Sequence, residues 1–454
     1  MSASPARVIA FEVLRRVDAE DAYASEVLRA RLAGKIRRED AALATILTLG
    51  VLRWQRLLDV AIDRQLTAPS KTLDAEVRIA LRLGAYQLLF LERVPARAAV
   101  NESVELVKLA RKRSAAALVN AVLRKIAAAP RSMDALVPSG APREDRLGVR
   151  YSHPTWMVAR WLQTFGETRT VALLESNNRE AHMALHVLDD AKRDEALASL
   201  ERAGCKISPG KLLREAFSLQ GGNPAASEAV RRGWIAMQDE ASQAVAHLLD
   251  VRRGDFVLDL CAAPGGKTLI LARAAGDAGR VIAADLHEHR LRVMAKRLRE
   301  AGCKNVELAA CDGTHPLPFS RDFNRILVDA PCSGTGTLAR HPEIRWRLRE
   351  EDLRDLHQRQ AMLLKNSLAH LAPGGRLVYS TCSLEREENE QVIGELLGLE
   401  ASAFRIVSAE RSLARIVREG IAPESLAGAD EFFRTFPPEH GTDGFFAAII
   451  ERTP

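Results

Sequence analysis

The chain has 454 residues, 47% of them apolar and 27% charged, enough for about three folded units with a large core, which excludes wholesale disorder and a small disulfide scaffold. Its six cysteines lie far apart, with no CxxC and no Cys/His group at zinc spacing, so neither a disulfide framework nor a metal site is expected and a reducing cytoplasm fits best. Net charge is +6, but residues 1–127 hold 22 basic and 14 acidic side chains (+8) and the remainder is at −2, so the basic excess is entirely N-terminal.

Such an asymmetry points to an N-terminal unit that attracts phosphates. Runs such as Arg37-Arg38 and Arg111-Lys112-Arg113 equally suit the solvated faces of helices. The opening MSASPARVIAFEVLRR is charged by its seventh residue and has no apolar stretch followed by a cleavage site, unlike a secretory signal. Charge-free apolar stretches such as Ala41 to Leu52 fall short of the roughly 20 residues that cross a bilayer, and no membrane span is expected.

From Ala6 to about Ala128 the pattern is helical: Leu73, Val77, Leu81, Gly84, Leu88 and Leu91 recur at three- and four-residue steps, as do Val119, Val122, Leu123 and Ile126. Residues 1–130 are therefore read as an all-helical domain. The proline-containing stretch that follows has little periodicity, and 131–149 is read as a linker. Residues 150–235 mix an apolar run at Met183 to Val187, a helical stretch from Ala191 to Ala203 and extended pieces near Ile207 and Phe217, which makes a small α/β domain. Within 236–454, five apolar runs of strand length, at 256–260, 280–285, 325–330, 375–381 and 444–450, are mostly separated by helical stretches. That alternation implies a doubly wound, largely parallel sheet, whose ligands bind at the carboxyl ends of the strands.

The first of these strands ends in Asp259 and runs into LCAAPGGKT, where Pro264, Gly265 and Gly266 make a tight turn before a helix. Glycines there let backbone approach a ligand, and the helix N-terminus offers unpaired N–H groups. A P-loop needs glycine where Cys261 stands, and the glycines of GxGxxG are absent, so neither phosphate motif applies. Asp285, ending the second strand, suits ribose hydroxyls, and Asp312, after the third strand region, suits an adenine amino group. A nucleoside cofactor without a pyrophosphate is favoured, with S-adenosylmethionine the obvious candidate. Each aspartate alone is more often a cap or turn residue, but three at successive strand ends favour the cofactor reading.

The next strands end in DAPCSGTG and STCS, placing Asp329, Cys332 and Cys382 at the same edge. For Cys205, Cys261, Cys303 and Cys311 the ordinary role of a small core side chain is expected, Cys205 and Cys303 each following Ala-Gly at a helix end. Methyl transfer to oxygen or nitrogen needs no thiol. Carbon 5 of a pyrimidine is a poor nucleophile until something adds to carbon 6, and a thiolate suits that addition. Asp329 can then offset the charge that develops, at ring N3, while Lys267 holds substrate or favours the thiolate, and a second thiol assists release. A solvated helix-start lysine is an equal reading of Lys267 on spacing alone.

The motifs CAAPGGKT, DAPCSGTGTLARHPEIRW and YSTCSLEREENE, with QDEASQ at 238–243 and TDGFF at 442–446, resemble the Sun-type RNA (cytosine-C5) methyltransferases, in the bacterial 16S ribosomal RNA form with a NusB-like N-terminal domain. The segment RVPARAAVNESVELVKLARKRSAAALVNAVLRKIA looks like that RNA-binding domain, so the similarity covers nearly the whole chain. It implies a multidomain protein with an all-α NusB-like domain, a small α/β domain and a C-terminal Rossmann-like class I methyltransferase domain with a seven-stranded, mostly parallel sheet whose last strand is antiparallel. It implies further that Cys382 is the nucleophile, that Cys332 serves product release, and that Cys261, Ala262, Ala263, Pro264, Gly265, Gly266, Lys267, Asp285, Asp312 and Asp329 line an S-adenosylmethionine pocket. One departure is GTGTLAR after Cys332, which is richer in glycine than the usual run. The expected protein is a cytoplasmic monomer acting on one cytidine of 16S rRNA, without metal or membrane. Its rivals are the same reaction on transfer RNA or DNA, and an RNA-binding assembly or antitermination factor with a vestigial catalytic half.

Overall fold

The computed structural model describes residues 3–34, 36–129, 132–400 and 403–454; the boundary expected at 130/131 lies outside them. Two compact units result: Met1–Glu180 together with Leu338–Glu350, and Ala181–Thr337 together with Glu351–Pro454.

The first unit is helical. Pro5–Glu20, Ala24–Leu32, Arg38–Asp63, Ala75–Phe90, Ala96–Leu109 and Ala116–Ala128 bury one apolar stripe each around a core that includes Phe11, Leu47, Leu58, Leu81, Leu106 and Leu123. Arg38–Asp63 is long and apolar enough to cross a membrane by length and composition, a feature that a search for charge-free runs passes over. Its buried side chains, from Ala44 to Ile62, belong to this helical unit. The stretch read as a linker carries a further helix, Arg143–Arg150. Only its Gly148 and Val149 are buried, too short an apolar signal to show as periodicity. It is held instead by polar contacts: Asp145 pairs with Arg56 and accepts from Thr155 Oγ1 at 2.9 Å. Thr155–Asn177, at the start of the expected α/β domain, also packs in this unit.

Among the described residues the second unit holds twelve strands in two sheets. The small one contains β1 (Met183–Val187), β2 (Lys206–Pro209), β3 (Ala216–Gln220) and β4 (Ile235–Met237) in the order β2-β3-β1-β4, all antiparallel. Leu185, Leu219 and Ile235 pack there with Leu200 of the helix Arg193–Arg202. Gly204 and Gly302 both take left-handed φ after a helix, and the N–H groups of Cys205 and Cys303 close back onto Leu200 and Leu298 at 3.1 and 3.0 Å, the helix-ending geometry expected for these two cysteines.

The large sheet contains β5 (Phe256–Leu260), β6 (Arg280–Asp285), β7 (Val306–Ala310), β8 (Phe323–Asp329), β9 (Leu371–Thr381), β10 (Phe404–Val407), β11 (Phe433–Thr435) and β12 (Phe445–Arg452). Its order is β10-β12-β9-β8-β5-β6-β7, with β11 on β12. Strands β5 to β9 pair in parallel and β12 runs antiparallel to β9. The sheet thus has eight strands, one more than expected. The extra strand, β11, has only three residues, and its buried Phe433 is a weak sequence signal. Alternate residues feed cores on the two faces: Val257, Leu327 and Val378 one, Leu258, Ile326, Val328 and Leu377 the other, which is why these strands read as continuous apolar runs. The order reverses between β5 and β8, the switch point where a doubly wound sheet opens a crevice at its carboxyl edge.

Candidate active site

Four loops meet at that edge. After β5, Cys261 turns with φ 67°, and its half-buried side chain packs under the sheet, where burial pushes the thiol up. Ala262 N–H bonds to Ala284 O at 2.8 Å, Gly265 N–H closes onto Ala262 O at 2.8 Å, and Ala263 N–H donates to Asp285 Oδ2 at 3.1 Å. Gly265 has φ 94°, and a Cβ there would come within 2.8 Å of Met294, so the turn requires glycine. The helix Gly266–Ala275 follows at the expected place.

Asp285 is buried at the end of β6, its other oxygen accepting from His287 N–H at 3.0 Å. Asp312 lies beyond β7 and bonds only locally, accepting from the N–H and hydroxyl of Thr314 at 2.9 and 2.7 Å. The Thr314 hydroxyl, then its N–H, hold the Asp312 carboxyl below its ordinary value, which is the turn geometry weighed against a ligand role. The preceding residue, Cys311, nevertheless ties this turn to β6 through Asp285 O at 3.2 Å.

Asp329 ends β8 opposite Ser380 of β9. Its Oδ2 takes the Lys267 ammonium at 2.7 Å and its Oδ1 the Ser380 hydroxyl at 2.8 Å. Lys267 is therefore an ion-paired, largely buried group and no solvated helix-start lysine. The two cysteines expected side by side are so: Cys332 Sγ and Cys382 Sγ lie 3.3 Å apart, and either can donate to the other. That hydrogen bond, with burial, pushes the Cys332 thiol well above its ordinary value. The glycine-rich departure after Cys332 has a cause here. Gly336 N–H donates to Cys382 O at 2.9 Å and Gly336 O accepts from Gly444 N–H at 2.8 Å, and a Cβ on Gly336 would stand 2.1 Å from Gly444 O. Backbone alone fits between the second cysteine loop and the TDGFF turn.

Sequence reasoning missed the buried polar groups behind these loops: Ser333, Ser383, Gln360 and Glu388. The two serines each follow a site cysteine, and Glu388 sits in the acidic run EREENE, the only signal available. Glu240 of QDEASQ was equally unmarked. It is buried and accepts the N–H groups of Lys211, Leu212 and Leu213 at 2.7–2.9 Å. Among the described residues no three His, Cys, Asp or Glu side chains gather to hold a metal ion.

Residues 246–451 match the family described as 16S rRNA methyltransferase RsmB/F, residues 4–128 the NusB family, and residues 153–226 a ferredoxin-like domain of RsmF/B-like methyltransferases. Across 100% of both chains this sequence is 31% identical to the probable ribosomal RNA small subunit methyltransferase B of Bacillus subtilis (strain 168). The chain belongs to the RsmB/F methyltransferase family. It is also 35% identical to the ribosomal RNA small subunit methyltransferase B of Klebsiella pneumoniae (strain 342), over 98% of each chain. The crystal structure of PH0851 superposes with a TM-score of 0.84 at 26% identity, over 99% of each chain.

The cofactor of this RsmB/F protein is S-adenosylmethionine, and the residues present fit it. Carboxylates stand on or at the ends of three adjacent parallel strands, at Asp259, Asp285 and Asp329, beside a glycine turn that opens a helix. Gln238 Oε1 is buried without a partner, next to a Gly266 whose Cβ would come within 3.3 Å of Gln238. A nucleoside with several hydroxyl and amino donors satisfies such an acceptor set.

Proposed function

We propose that this protein transfers a methyl group to carbon 5 of a cytidine in 16S rRNA through a covalent adduct between a cysteine and carbon 6. The single observation that carries the reading is the pair of thiols at 3.3 Å on adjacent strand ends, beside the Asp329–Lys267 pair. Relatives along the whole length named as rRNA small subunit methyltransferases support the substrate.

In this reading residues 261–267 and Asp285 hold the cofactor, with Asp312 at the adenine side and Asp329 at the end nearest the chemistry. When bound, S-adenosylmethionine supplies an electrophilic methyl group. Either sulfur can donate the hydrogen bond between them, and the resemblance of the STCS motif to the family's nucleophile motif assigns to Cys382 the attack on carbon 6. Asp329, oriented by Lys267 and Ser380, shares a proton with ring N3 and so offsets the charge arriving from sulfur. Cys332, after its own proton has passed to solvent, takes the carbon 5 proton as thiolate, and the released electron pair forms the carbon 5–carbon 6 double bond while the Cys382 sulfur leaves as thiolate. The target base must be in a loop or flipped from its stack. The helical N-terminal residues 1–130 serve as the RNA-binding module and the large-sheet region as the catalytic domain, in a monomer acting in the cytoplasm.

The test is methyl transfer from labelled cofactor to 16S rRNA from a strain lacking the enzyme, followed by nucleoside analysis. Label in 5-methylcytidine is expected, and label confined to any other nucleoside contradicts the proposal.

A further inference from the structure

What sets the two sulfurs at their separation lies behind them. Each site cysteine is followed by a serine, and both serines turn inward to one carboxylate. Glu388 is fully buried. Its Oε1 accepts from Ser333 N–H at 2.8 Å and from Gln360 Nε2 at 2.9 Å, and its Oε2 accepts the hydroxyls of both Ser333 and Ser383. Those hydroxyls are themselves 2.9 Å apart. Gln360 Nε2 also reaches Pro331 O at 2.9 Å, and Tyr379 Oη donates to the Glu388 carbonyl at 2.6 Å. The carboxylate is thus held by neutral donors from the Cys332 loop, the Cys382 loop and the helix Asp352–Leu368, with no basic side chain among them. A buried carboxylate without a cation is costly and is retained only where hydrogen bonds saturate it.

We propose that Glu388 is the positioning residue of the thiol pair. It locks Ser333 to Ser383 and so holds Cys332 and Cys382 at the separation of their hydrogen bond. The catalytic consequence rests on the reading of the preceding section; the clamp itself does not. A fixed negative charge behind two adjacent sulfurs opposes removal of the second proton. Glu388 acts on Cys332 in that sense, after the Cys382 hydrogen bond and burial. Other titratable groups here are Tyr379, Cys261 and Asp329, the last with its ion-pair partner Lys267. Glutamine is a poor replacement, because it removes the charge, and the one orientation of its amide that does not set NH2 against two N–H donors reverses the hydrogen bonds of both serine hydroxyls.

The variant Glu388→Gln tests this, with Ser333→Ala and Ser383→Ala removing one hydroxyl each. Two measurements are made: steady-state methyl transfer, and the pH profile of alkylation of Cys332 and Cys382 by iodoacetamide, read by peptide mass spectrometry. Glu388→Gln is expected to lower kcat about 100-fold with KM values nearly unchanged, and to move alkylation of Cys332 to lower pH by about one unit. The serine variants should show smaller shifts in the same direction. A folded Glu388→Gln protein with the wild-type kcat and alkylation profile overturns the proposal. If that variant does not fold, wild-type profiles in both serine variants overturn it. A shifted alkylation profile in a protein that methylates no cytidine upholds the clamp and refutes the cytosine reading.

Discussion

Asp259 shows how strongly the site departs from solvent conditions at the scale of one residue. It lies in β5 with Oδ1 buried and unpartnered and Oδ2 accepting the Thr268 hydroxyl at 2.5 Å. Burial pushes its carboxyl up to about 7, against the pull of that hydrogen bond and with a further rise from Asp329. The folded value lies above the ordinary 3.8, so between the two the folded protein keeps a proton that the unfolded chain has lost. The stabilisation is complete below pH 3.8 and is lost as pH rises to about 7. Asp259→Asn removes this titration. It should melt above wild type at pH 8 and not above it at pH 4, and an identical pH dependence in the two proteins contradicts the assignment. Cys332, Cys382 and Asp329 were legible because thiols and a carboxylate together at strand ends have narrow chemistry, whereas spacing alone left Lys267 open between a site group and a solvated lysine. Glu388 was not, since an acidic run looks solvated until the fold turns one of its members inward.

At the scale of elements, the stretch after the Cys332 loop behaves unlike its surroundings. Leu338–Glu350 packs with the helical unit. The fully buried Arg345 donates to Ser152 O and Asn178 Oδ1 at 3.0 Å, to Asn177 O at 3.1 Å and to Arg53 O at 3.3 Å. Trp346 Nε1 donates to Leu52 O at 2.6 Å, and Glu343 accepts from Ala24 N–H at 3.0 Å. Arg345→Met keeps the volume and strands several carbonyl groups. It should cost on the order of 3 kcal/mol in urea unfolding, and an unchanged midpoint contradicts this account of the segment. Sequence pattern showed the strands of the large sheet through runs buried on both faces, and the helices through three- and four-residue spacing. It missed what tertiary contacts alone stabilise: the helix Arg143–Arg150, the three-residue β11, and the attachment of RHPEIRW to the helical unit.

For the whole molecule, the basic excess sits in the helical unit and the chemistry in the sheet-containing one. That division suits the proposed reaction, in which charge provides affinity for RNA phosphates of any sequence and the cysteine edge selects the base by reactivity. The proposed reaction requires sulfur to bond to the pyrimidine during turnover, and Cys382 to supply that sulfur. The most direct measurement is mass spectrometry of denatured protein after incubation with cofactor and 16S rRNA, followed by nuclease digestion. Cys332→Ala should carry a methylated cytidine nucleotide on the Cys382 peptide, and Cys382→Ala should carry none and make no product. A nucleotide attached to Cys332 in the Cys382→Ala protein, or full turnover with both thiols replaced by serine, would contradict the mechanism.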